Sequence, residues 1–220
     1  MPTPAEAEEH LRVIRTLMER ATTYRAISAP GALVGGLLAV AGWFFFADWF
    51  VGSDAPDAPW VAERQSFHFV CLWMAVLGVT GTVNFIFLWR DAQKRGAPFF
   101  SPGMRLAALA VLPSYVVAGF FTLVLGLTGY GDELVPIWLL CHGLGLLATS
   151  HFAPRSFFWL GWAFLLTGLV ATRIFFSPHP WSLFFVAQQW MAGTFGVYHL
   201  IFAACTWPRK QASPEPAFES

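Results

Sequence analysis

The chain alternates long apolar runs with short polar connections. The runs are Ala29–Phe50, Ser66–Trp89, Leu106–Leu127, Leu134–Ser150, Phe157–Phe176 and Trp181–Trp207. Each is too long for a buried strand and close to the ~20 residues that a helix needs to cross a bilayer. Gly, Ser and Thr are spread through them without the two-residue alternation of a membrane barrel. The pattern therefore predicts an all-α polytopic membrane protein with six transmembrane helices (29–50, 66–89, 106–127, 134–150, 157–176 and 181–207). Trp49, Trp89, Trp138, Trp159, Trp181 and Trp207 stand near the ends of these runs, where amphipathic rings suit the headgroup layer.

Residues 1–28 follow another pattern. Leu11, Ile14, Leu17, Met18 and Ala21 form one apolar stripe, Glu8 with Arg12 and Arg15 with Glu19 are spaced to pair along a turn, and Thr3-Pro4-Ala5-Glu6 matches a capping box. The segment is read as a cytoplasmic amphipathic helix, either lying on the membrane interface or docking a partner. It carries four acidic and four basic side chains and no apolar h-region, so it is not expected to be a cleavable signal. Residues 208–220, with Pro214 and Pro216, read as a disordered cytoplasmic tail.

Composition sharpens this picture. Of 220 residues, 56% are hydrophobic and 12% charged, about half the usual charged share, which argues against an ordinary soluble domain. The 13 basic and 13 acidic residues cancel, so no global basic field attracts nucleic acid. Their placement matters more. Arg12, Arg15, Arg20, Arg25, Arg90, Lys94, Arg95, Arg105, Arg155, Arg209 and Lys210 fall on one side of the predicted spans, and only Arg64 and Arg173 break the rule. The bias places both termini in the cytoplasm.

Close helix approach in lipid relies on small residues. Gly31 and Gly35 with Gly36, Gly78 and Gly81, Gly143 and Gly145, Gly161 and Gly168, and Gly193 and Gly196 are expected to carry that packing within the bundle. Pro113 is expected to kink the third span. Cys71, Cys141 and Cys205 form neither a disulfide framework nor a metal pair.

Ionisable and amide side chains at membrane depth are the functional candidates. Asp48, His68, Arg173, Gln188 and Gln189 are counted into the outer third and could form a polar vestibule. Alternatively, Asp48 and Arg173 pair or snorkel while the glutamines join helices. Deeper lie His142 near mid-bilayer, Asn84 in the inner half and His199 nearer the inner face. Gln188 and His199 are eleven residues apart and share a helical face, so a polar seam could run down the sixth span. The rise along the helices separates His142 from His199 by ~7 Å in depth, which makes a haem ligated by both a poor expectation. The sequence has no HExxH, no phosphate-binding loop, no rhomboid Gly-x-Ser-Gly and no carboxylate cluster. Neither an enzyme nor a resident cofactor or metal is expected.

Glu8-Glu-His-Leu-Arg-Val-Ile-Arg leading through Ala29-Pro-Gly to Gly36, with the basic connection Trp89-Arg-Asp-Ala-Gln-Lys-Arg95, resembles an uncharacterised family of bacterial six-helix inner-membrane proteins. The resemblance implies a bacterial inner-membrane location and brings no activity or catalytic residues. The leading expectation is a non-enzymatic subunit or regulator that acts through membrane-protein partners. It is helped by the 23 Phe and 11 Trp, more than end belts require. A small-solute or ion transporter using the outer vestibule is the second reading, and a haem-bearing redox subunit the last.

Overall fold

The computed structural model describes residues 8, 27–46, 59–94, 96, 98–150, 153–177 and 184–207. The amphipathic segment 1–28 (save Glu8, Ile27 and Ser28), Asp48, and the tail 208–220 lie outside the described residues. Those described are almost wholly helical: α1 (Ala29–Phe46), α2 (Pro59–Lys94), α3 (Pro102–Gly126), a short 3₁₀ turn (Gly131–Glu133), α4 (Leu134–Thr149), α5 (Arg155–Phe175), α6 (Phe184–Met191), a π-helical turn (Ala192–Gly196) and α7 (Val197–Thr206). The sixth apolar run is thus one helical path with a wide turn in its middle. Among the described residues, five helices are long and apolar enough to cross a membrane.

Local chemistry explains the boundaries. Ser28 caps α1 by accepting from the amide of Gly31 at 3.0 Å. Ser101 does the same for α3 from Met104 at 3.3 Å, with Pro102 at the first helical position. After α3 the chain reverses through Gly129, whose φ of 85° lies in the left-handed region open to glycine. α2 runs to 36 residues, well beyond the 66–89 expected, because Pro59–Gln65 and Arg90–Lys94 continue the helix at either end. α3 stays helical through Pro113.

α4 is the central helix. Its window is 56% buried, against 11% for α2 and for α3. α4 and α5 pack most closely, backbone to backbone: a methyl on Gly143 would lie 2.8 Å from the amide nitrogen of Leu165, and one on Gly161 would lie 3.2 Å from the carbonyl oxygen of Gly143. α1 rests on α2 through Gly31 and Gly35, which face Asn84 and Thr80, while Gly36 faces Gly196 and Leu200. The expected role for Gly78, Gly81 and Gly193 fails, because nothing lies within 4 Å of where their Cβ atoms would sit. They are on open faces.

The core holds Phe69, Trp73, Leu139, Phe157 and Phe164. Outside it, α2 and α3 present Phe67, Val79, Phe85, Leu109, Val116 and Phe120 on the perimeter. α2 meets α3 at the start of the former and the end of the latter. There the Ser66 hydroxyl donates to the carbonyl of Gly126 at 2.9 Å, and Gly131 leaves room for Ser66.

Candidate functional site

A cavity of about 190 Å³ lies among α1, α2, α3, α4 and the π turn with α7. Its walls are mostly apolar or aromatic, with Phe69, Trp73, Met74, Trp138, Met191 and Phe195 among them. The polar groups on it are Thr80, Asn84, Tyr115, Thr122, His142 and His199. Leu77 and Gly81 also border it and are exposed on α2, so the cavity meets the molecular surface beside that helix.

The histidines form the deep end. Their ring centroids are 5.5 Å apart. This corrects the expectation that ~7 Å of helical rise keeps them at different depths. That count measured each residue from the middle of its apolar run and treated the helices as equally placed, whereas α4 and α6–α7 are offset and the π turn lies just before His199. Phe164 contacts both imidazoles, at 4.6 Å from His142 and 5.6 Å from His199, and Phe195 does so at 5.2 Å and 6.1 Å. The first contact is edge-on, Phe195 stacks on His199 and the other two are tilted, all favourable ring geometries. The two imidazoles and the two phenyl rings therefore form one contacting cluster.

Each imidazole is held by its Nδ1. Tyr115 Oη lies 2.7 Å from Nδ1 of His142, and Nδ1 of His199 lies 2.8 Å from the carbonyl oxygen of Phe195, one turn earlier. Nε2 of His142 and Oγ1 of Thr80 are buried and have no hydrogen-bond partner. Such groups are uncommon in a folded interior.

Asn84 has a structural task. Its Oδ1 accepts from both the amide (2.9 Å) and the hydroxyl (3.0 Å) of Ser28, which locks the start of α1 to α2. Gln188 is fully buried, and its Oε1 accepts from Trp73 Nε1 at 3.1 Å while its Nε2 has no partner. Gln188 and His199 both face inward, although the wide turn between them breaks the regular angular count. Gln188 does not border the cavity, so the seam is interrupted there.

The outer set is scattered among the described residues. Gln189 is exposed, Arg173 is exposed and donates to Ser177 just past the end of its own helix, and His68 is half-buried beside Phe67 at 6.3 Å between rings. Asp48 lies outside the described residues. No cluster of three or more His, Cys, Asp or Glu side chains suited to a metal ion occurs among those described.

Three residues that sequence reasoning passed over shape the site. Trp138, expected at a headgroup layer, is buried and donates from Nε1 to Thr122 at 3.0 Å. Trp73 and Tyr115 behave alike. The available signal was position: an aromatic N–H or O–H in the middle of an apolar run must find an acceptor. No family model, curated protein or solved structure matches the chain.

Proposed function

We propose that the chain is a six-span protein of a bacterial inner membrane, with both termini cytoplasmic, that holds a small lipophilic molecule within the bilayer and works as a subunit or regulator through partner proteins. The observation carrying this reading is the cavity of about 190 Å³ with two imidazoles at its deep end. Five long apolar helices, a sixth helical path from Phe184 to Thr206 and the apolar perimeter of α2 and α3 support a lipid surrounding. The distribution of arginine and lysine supports the orientation.

An engineered apolar cavity of about 150 Å³ admits benzene, so this one suits a ring-sized molecule. Entry from the bilayer is favoured by the exposed Leu77 and Gly81 on its rim. The walls offer rings, thioethers and neutral hydrogen-bonding groups, a set suited to holding a molecule more than to breaking its bonds. Transport through an outer vestibule has less support, since Gln189 and Arg173 are exposed and Gln188 is engaged by Trp73.

Native mass spectrometry of the protein released gently from its own membrane tests the reading. A bound lipophilic molecule and a stoichiometric protein partner are expected. Reporter tags at the two ends should both face the cytoplasm. Solute flux into liposomes by the isolated protein, lost in Gln188→Leu, would instead favour transport and overturn the proposal.

A further inference from the structure

We infer that an anionic phospholipid occupies the groove between α2 and α3, with its phosphate on Arg90, Lys94 and Arg105 and one acyl chain laid along the groove to the open side of the cavity. The inference rests on the membrane reading above and not on what the cavity itself holds.

The groove exists because α2 and α3 meet firmly at one end. There a methyl on Gly126 would lie 2.8 Å from Val70, and Ser66 donates to the carbonyl of Gly126. Beyond that contact the cavity lies between the two helices, with Leu77, Thr80 and Gly81 of α2 and Tyr115 of α3 on its walls. No neighbouring atom lies within 4 Å of where a Cβ of Gly78, Gly81 or Gly119 would sit. Leu109 and Leu112 carry the exposed apolar surface of α3 on toward its start. An empty recess would forfeit dispersion contacts along both helices, and in a bilayer hydrocarbon fills it.

Distance and charge choose the occupant. The Gly126–Val70 contact fixes the offset of the two helices. Counted from it, Arg90 lies 20 residues along α2 and Arg105 21 residues back along α3, ~30 and ~32 Å of helical rise, so the two stand at one level. Lys94 is one turn past Arg90, and the connection 95–101 ties the two helix ends together. All three cations are exposed, and Asp91 is the acidic residue on this stretch, so a cationic excess remains. Gly81 precedes Arg90 by nine residues, ~14 Å, close to the ~15 Å that one leaflet contributes to a hydrocarbon core of ~30 Å. A lipid whose phosphate meets these cations therefore ends its chain beside Gly81 and Leu77, at the exposed rim of the cavity. A zwitterionic lipid brings its own cation to the same place, so the cluster selects a headgroup of net negative charge.

The test is native mass spectrometry of the full chain, washed free of lipid in detergent and titrated with dioleoyl phosphatidylglycerol or dioleoyl phosphatidylcholine. The first phosphatidylglycerol is expected to bind about tenfold or more tightly than the first phosphatidylcholine. Arg90→Ala/Lys94→Ala/Arg105→Ala should abolish that preference, whereas Arg155→Ala, on α5 and outside the groove, should keep it. Gly81→Trp fills the recess and leaves every charge in place, and it should weaken the first phosphatidylglycerol about as much as removing the cations does. Val170→Trp, on the exposed face of α5, should not. Near-ultraviolet circular dichroism checks that each variant is folded, and Gly78→Trp replaces Gly81→Trp if the latter is not. Equal first binding of the two lipids by the parent, or a preference that survives the tryptophan in the groove, would overturn the proposal. So would a dimer that the same tryptophan dissociates, since a second copy would then cover this face. Protein that stays soluble without detergent would instead overturn the membrane reading, which keeps the two failures apart.

Discussion

Gly143 and Gly78 provide a paired test of the bundle, since the same substitution to alanine meets opposite surroundings. A Cβ at Gly143 would sit 2.8 Å from the nitrogen of Leu165, 2.9 Å from the carbonyl oxygen of Gly161 and 3.1 Å from Cα of Leu165. All three are backbone atoms of α5, so no side chain can turn away. Comfortable separation begins near 3.5 Å, and α4 and α5 would have to part by about 0.7 Å at that point. A gap of about 0.5–1 Å forfeits a quarter to a half of each dispersion contact along the seam. Overpacking of this kind costs about 1–3 kcal/mol.

At Gly78 nothing lies within 4 Å of the added methyl. The assay is unfolding from mixed micelles by increasing SDS, followed by near-ultraviolet circular dichroism. Chains unfolded by SDS retain much helix, so the helix-propensity gain from alanine largely cancels in both variants. Gly143→Ala is therefore expected to lose about 1–3 kcal/mol, and Gly78→Ala to stay within about 0.5 kcal/mol of the parent. A Gly143→Ala protein as stable as Gly78→Ala would refute the close α4–α5 contact.

Trp73→Phe leaves Oε1 of fully buried Gln188 without its indole donor and should cost about 1–3 kcal/mol, whereas adding Gln188→Leu should restore most of that stability, as SDS titration of the three proteins would show. Ser66→Ala removes the hydroxyl that joins the start of α2 to the end of α3 and should lower stability by about 1 kcal/mol. A cysteine pair placed at positions 70 and 126 should then cross-link more slowly than in the parent; an unchanged rate would argue that the contact does not hold these helices together.

The spans were legible because an apolar run of membrane length leaves few alternatives, and the helices α3, α4 and α5 begin and end within a few residues of the predicted limits. α2 was underestimated for a physical reason: a helix does not stop where apolarity stops, and Arg90, Asp91 and Lys94 extend it into polar surroundings. Which glycines pack was not legible. Gly31 and Gly35 touch α2, yet Gly81 on that same α2 faces open space, and spacing alone does not say which face of a helix has a neighbour. The pairing of His142 with His199 was missed because depth along a helix says nothing of the offset between two helices. Trp138 was misplaced because a run beginning at Leu134 makes its ring look terminal, while the 3₁₀ turn before Leu134 carries the start of the helical path back to Gly131.

Some of the buried polar groups bear on whether the cavity is a site or a packing fault. Trp73 donates to Gln188, Trp138 donates to Thr122, and Tyr115 Oη pairs with Nδ1 of His142, each across two helices, so ring groups meet several of the polar atoms that the bundle buries. Nε2 of His142, like Oγ1 of Thr80 and Nε2 of Gln188, is buried without a partner among the described residues, and His142 and Thr80 both border the cavity. Were the cavity merely a fault, Tyr115 and His142 would serve only each other. Replacing both by Phe removes donor and acceptor together, so Tyr115→Phe/His142→Phe should be as stable as the parent without ligand, or more so. Adding propylbenzene should raise the melting temperature of the parent in proportion to its occupancy of the cavity. Melting temperatures of the two proteins in nanodiscs, with and without the probe, decide the matter. If the double variant melts below the parent when no probe is present, the pair is a structural bond, and the unpaired nitrogen needs no ligand to account for it.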